Sequence, residues 1–162
     1  MISEKNFQVS RASAGSGKTY VLSLSFIALA LKGADKHSID YYKRILAVTF
    51  TNKAAAEMKE RVLQYLEILS KNENESDILD WIKEATGFSE EKVSELSREV
   101  RINILHNYTE LKISTIDKFT YNIVRTFSSD LGLSYNFDVE MDNFYFNYMQ
   151  RSSKCMSKNY DF

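Results

Sequence analysis

The segment Ala12-Ser-Ala-Gly-Ser-Gly-Lys-Thr19 constrains this chain more than any other. It follows the phosphate-loop pattern G-x-x-x-x-G-K-[ST], with Ala12 where the first glycine usually stands and Gly15 adding freedom inside the loop. Such a loop joins a buried strand to a buried helix. Its backbone N–H groups, here from about Ala14 to Thr19, turn inward and cradle phosphate oxygens. Glycine permits the backbone angles and the close approach, and the following helix adds the positive end of its dipole. Ala14, Gly15, Ser16, Gly17, Lys18 and Thr19 are therefore candidate ATP-binding residues. Lys18 is the residue to reach the β- and γ-phosphates, and the Thr19 hydroxyl is the candidate Mg²⁺ ligand.

The flanking sequence suits that role. Phe7 to Ser13 reads as a strand, although Gln8 and Arg11 spoil its periodicity. Gly17 to Lys32 reads as a helix, apolar nearly all round, with Gly33 as its C-cap. Lys5, Arg11 and Lys18 ahead of the apolar run from Tyr20 to Leu31 also resemble a secretory signal. That run is too short to span a bilayer, and a helix packed on a sheet explains it better.

Further on, Lys36 to Tyr42 reads as polar surface loop. Ile45 to Phe50 is a short β-branched run, expected to be a strand covered on both faces. Asn52 to about Leu69 carries Ala54, Met58, Val62 and Leu66 at helical spacing. Residues 70 to 88 are polar apart from Ile78, Leu79, Trp81 and Ile82. Ser89 can cap a helix whose first turn holds Glu90 and Glu91 and whose buried stripe is Val93, Leu96, Val100 and Ile104. Leu111 to Ser114 reads as another strand, and Ile116, Phe119, Ile123, Val124 and Phe127 mark a helix. Ser114 and Asp117 stand at capping-box spacing before that helix. The alternation of strands and helices predicts an α/β fold: a P-loop parallel sheet with flanking helices and a helical insertion at about 65–110.

Composition narrows the partners. At 162 residues, 44% apolar and 27% charged, the chain can bury a core, and its net charge is -1. A freestanding nucleic-acid binder is more often basic, so any contact with DNA must come from a local patch or from parts of a larger protein. Cys155 is the one cysteine, which excludes an internal disulfide and a cysteine metal site and fits a reducing, cytoplasmic setting with no membrane partner.

Two further segments carry a family resemblance. Val48-Thr-Phe-Thr-Asn-Lys-Ala-Ala-Ala-Glu-Met58 resembles motif Ia of the UvrD/Rep superfamily 1 DNA helicases, and Ile113-Ser-Thr-Ile-Asp-Lys-Phe119 is similar to that family's next motif. Asn122-Ile-Val-Arg-Thr-Phe, Leu131-Gly-Leu and Asn136-Phe-Asp-Val continue the likeness, which covers roughly residues 7 to 142. The phosphate-loop sequence and the helical insertion most resemble the RecB/AddA branch. The resemblance implies the N-terminal part of the first of two RecA-like motor domains, residues 1–142 here, with 143–162 unassigned. It implies an ATP-dependent helicase that translocates on single-stranded DNA in repair or recombination, working with a nuclease subunit or the remaining helicase domains.

The same resemblance implies DNA contact through Thr49, Phe50, Thr51, Asn52, Lys53 and Thr115. An aromatic side chain at a strand end can stack on a base, and short polar side chains at a helix start can hold phosphate. Taken without it, Phe50 reads as core, and Thr51 or Asn52 as a helix cap. Asp117 and Lys118 depart from the family, which usually has histidine and serine there, and a carboxylate facing phosphate would repel it. The family's acidic Walker B segment has no counterpart: Asp138 and Glu140 are not adjacent. The chain is thus expected to be a truncated product or a fragment, inactive in ATP turnover by itself. Two other readings stay open: a non-catalytic remnant or interaction module, and a P-loop enzyme of another class such as a small kinase.

Overall fold

The computed structural model describes residues 17–71 and 76–132. The expected strand at Phe7 to Ser13, loop residues Ala14, Gly15 and Ser16, and the unassigned 143–162 lie outside the described residues. The elements are α1 (Lys18–Lys36), β1 (Ala47–Thr49), α2 (Asn52–Lys71), α3 (Ser76–Thr86), α4 (Glu90–His106), β2 (Ile113–Thr115) and α5 (Ile116–Thr126). Described residues up to Thr120 belong to one compact unit, and those from Tyr121 to a second. The first is mostly helical around a two-stranded parallel sheet, an incomplete α/β arrangement.

The strands pair Ala47 with Ile113, Val48 with Ser114 and Thr49 with Thr115. Parallel pairing requires a long crossover, and α2, α3 and α4 supply it. The core forms where α1, α2 and α4 converge. Leu24, Ile27 and Leu31 of α1 meet Met58, Val62 and Leu66 of α2 and Val93, Val100 and Ile104 of α4 in one buried cluster. These sets recur every three or four residues, so each helix turns one apolar stripe inward. The α2 stripe runs through Ala55 rather than Ala54.

Polar contacts add register. Glu67 of α2 takes Arg101 of α4 at 2.9 Å and Lys71 of its own helix at 2.8 Å. The hydrogen bond from Lys71, then the charge of Arg101, hold the Glu67 carboxyl below its ordinary pKa.

Several expectations need correction. Residues 36 to 42 are not all surface loop. Tyr41–Arg44 form a 3₁₀ turn, and Tyr42 is fully buried, its hydroxyl donating to Asn103 Oδ1 at 2.9 Å. A polar neighbourhood hid an aromatic anchor whose partner is far away in sequence. Residues 76 to 86 form α3, with Ile78, Ile82 and Ala85 buried on one face. β1 is shorter than expected and only half covered: Val48 remains 42% exposed.

Gly33 does not cap α1, which continues to Lys36 and ends on a hydrogen bond from His37 N–H to the Gly33 carbonyl. Its requirement is space, because a Cβ there would fall within the Tyr41 ring. Gly33→Ala is accordingly expected to lower unfolding free energy by about 1–3 kcal/mol despite alanine's better helix propensity. Urea denaturation followed by circular dichroism checks this, and a stabilised variant would show that Tyr41 moves aside freely.

Candidate functional site

The phosphate-loop residues that are described sit at the head of α1. Gly17 is its N-cap, with φ of 74°, a left-handed conformation that explains glycine at this position. The Gly17 carbonyl accepts the first helical hydrogen bond, from Val21 N–H at 3.0 Å. The N–H groups of Lys18, Thr19 and Tyr20 therefore have no helical acceptor, as in any first turn. No acidic residue stands in that turn to offset its positive end. Lys18 is exposed and Thr19 half-buried. These three residues suit a phosphate group: a glycine hinge, a run of available donors, an exposed cation and a hydroxyl.

The motif at β1 takes shape through two threonines. Thr51 Oγ1 accepts from Ala54 N–H at 3.1 Å and so caps α2. Thr49 Oγ1 donates to the Thr51 carbonyl at 3.1 Å, which ties the strand end to the cap. Held between them, Phe50 projects outward and is 88% exposed. It is not the core residue that its hydrophobicity alone would suggest. Thr51, Asn52 and Lys53 are exposed beside it.

Strand pairing sets Thr115 beside Thr49, so the two motifs become neighbours although α2, α3 and α4 separate them in sequence. Thr115 is only 7% exposed, and its Oγ1 accepts from Lys118 N–H at 3.3 Å. The cap of α5 is therefore Thr115 and not a Ser114–Asp117 box. The helix starts one residue later than that spacing requires, and Ser114 Oγ instead donates to the Thr115 carbonyl.

A groove of about 530 Å³ opens next to these residues, lined along α2 by Asn52, Ala56, Lys59 and Leu63, and across from them by Tyr108, Ser114 and Lys118. Lys59 Nζ lies 5.2 Å from the centroid of the Tyr108 ring. Burial, and then the charge of Lys118, push the Lys59 ammonium below the ordinary lysine pKa. Sequence reasoning misses Lys59. The signal is present in the stripe Asn52, Ala56, Lys59, Leu63, which puts a lysine on one helical face with small residues around it.

Among the described residues no group of His, Cys, Asp or Glu could hold a metal ion, and no helix is long and apolar enough to cross a membrane.

Comparison with known proteins places the chain. The family model described as the UvrD/REP helicase N-terminal domain matches residues 3–161. A protein named probable DNA helicase II homolog, from Mycoplasma capricolum, is 60% identical over 53 residues, 33% of this chain and 7% of that protein. The larger subunit-type relatives carry the name ATP-dependent helicase/nuclease. One of them, from Streptococcus suis, is 34% identical over 131 residues, 81% of this chain and 9% of that protein. Its namesake from Alkaliphilus metalliredigens is 38% identical over 114 residues, 70% of this chain and 7% of that protein. The chain thus spans less than a tenth of the length of these relatives. No solved structure matches it. With the phosphate-loop glycine, the exposed motif Ia aromatic and a match along nearly its whole length, the chain belongs to the UvrD/REP helicase N-terminal domain family.

Proposed function

We propose that this chain is the ATP-binding, DNA-contacting N-terminal part of a helicase that uses ATP to move along single-stranded DNA in repair or recombination. In this reading residues 1–142 belong to an incomplete RecA-like P-loop domain with its helical insertion at about 65–110. Ala14 to Thr19 hold the nucleotide phosphates, with Lys18 on the β- and γ-phosphates and Thr19 ligating Mg²⁺. Bound Mg²⁺–ATP would supply the phosphoanhydride whose hydrolysis drives movement. Residues elsewhere in a longer motor complete that chemistry, and the partners are a nuclease subunit or those further helicase domains. The same reading includes a cytoplasmic location, supported by a single cysteine.

The observation that carries the DNA assignment is the 88% exposure of Phe50. A phenylalanine so exposed, braced by Thr49 and Thr51 and followed by exposed Asn52 and Lys53, offers a stacking face beside phosphate-binding groups. Base stacking of this kind is worth roughly 1–3 kcal/mol. Phe50→Ala should therefore weaken single-stranded DNA binding by roughly 5- to 150-fold at low salt. Fluorescence anisotropy with a labelled oligonucleotide measures this, with Asn52→Ala as a companion. If wild type binds and neither substitution weakens it, the interface lies elsewhere.

A further inference from the structure

We propose that the groove between α2, β2 and the start of α5 is a phosphate-binding site, in which Lys59 and Lys118 close on one phosphodiester of a bound DNA strand. The proposal rests on the DNA reading above and adds a subsite to it.

The first argument is charge. Two lysines from different helices line one groove, and the proximity of Lys118 weakens the protonated form of Lys59. Among the described residues neither lysine forms an ion pair. Glu60 also lines the groove but is not paired with either ammonium. A pair of like charges without a counter-ion is unfavourable unless an anion joins them, and burial of Lys59 makes that anion worth more than it would be in open water.

The second argument is shape and neighbours. The groove is large enough for a phosphate and the sugars on either side, and Tyr108 gives it an aromatic wall. The Ser114 hydroxyl and the Asn52 amide supply neutral polar groups of the kind that accompany lysine on phosphate. The third argument is continuity. Asn52 lines the groove and also follows the exposed row at Phe50 and Thr51, so one strand stacked on Phe50 can continue past Asn52 towards the lysines. A free phosphate ion would satisfy the same charges but would not use that path.

Lys118 stands where the family usually has serine, which makes this clamp a property of the chain's own sequence. It also answers the repulsion expected from neighbouring Asp117. Lys59 Nζ is held near the Tyr108 ring, so one arm of the clamp is already positioned.

The test compares the full chain with Lys118→Ser, Lys59→Met and the double variant, by anisotropy of a labelled single-stranded oligonucleotide across a salt series. If the lysines share one phosphate, each single substitution weakens binding roughly three- to tenfold and lowers the salt slope by about 0.7. The double variant then loses little more slope than either single one. Slope losses that add to about 1.4 would mean two separate phosphates and overturn the clamp. Wild-type binding that Phe50→Ala weakens and the lysine variants leave unchanged overturns this subsite while the DNA interface stands. A second arm titrates inorganic phosphate and follows the lysine side chains by NMR. Saturable shifts of Lys59 and Lys118 without oligonucleotide binding support a phosphate site but overturn DNA as its source. No response to either ligand overturns the proposal. Lys118 is exposed, so Lys118→Ser reports on binding without disturbing the core.

Discussion

Lys18→Ala is expected to remove measurable Mg²⁺–ATP binding. The residue opens α1 directly after left-handed Gly17, where the first-turn N–H groups lack helical acceptors and no carboxylate competes. Backbone donors alone bind phosphate, but the ammonium contributes charge-assisted hydrogen bonds worth about 1.5–3 kcal/mol. Losing them weakens binding by roughly 10- to 150-fold. In the isolated chain affinity starts low, because no second motor domain closes over the nucleotide, so a loss of that size takes binding out of range. Lys18 is exposed, and its replacement should leave helix content unchanged. Isothermal calorimetry decides the matter: equal affinity of wild type and variant would remove the phosphate loop from the proposed function.

Leu66→Ala is expected to lower stability by about 2–5 kcal/mol, a large part of what a domain of this size possesses. Leu66 is almost fully buried in the cluster that joins α1, α2 and α4. The helices around it are long and stitched by the Glu67–Arg101 pair, so the vacated space cannot close readily. Gln64→Ala, on the exposed side of the same helix, should stay within about 0.5 kcal/mol. Chemical denaturation of the two variants separates packing from helix propensity. Similar midpoints would mean that α2 is not held by this face.

What sequence alone determined about this protein was local. A glycine-lysine-threonine loop, a helix with one apolar stripe and a serine cap are all specified within a few residues. Thus Gly17, Ser89 and the stripes through Met58, Val62 and Leu66 or Val93, Val100 and Ile104 were readable in advance, and the motifs sufficed to indicate the family. Tertiary structure decided whatever depends on distant partners. Tyr42 is an anchor only because Asn103 receives its hydroxyl, and Gly33 must be glycine only because Tyr41 folds back over it. Phe50 could be core or surface by composition; the brace between Thr49 and Thr51 turns it outward. Lys59 and Lys118 are ordinary charges in the chain and become a pair because parallel pairing of β1 with β2 brings the start of α5 against the side of α2. Hydrophobic period and capping act over one or two helical turns, whereas charge and exposure are set by whichever element the crossover delivers alongside.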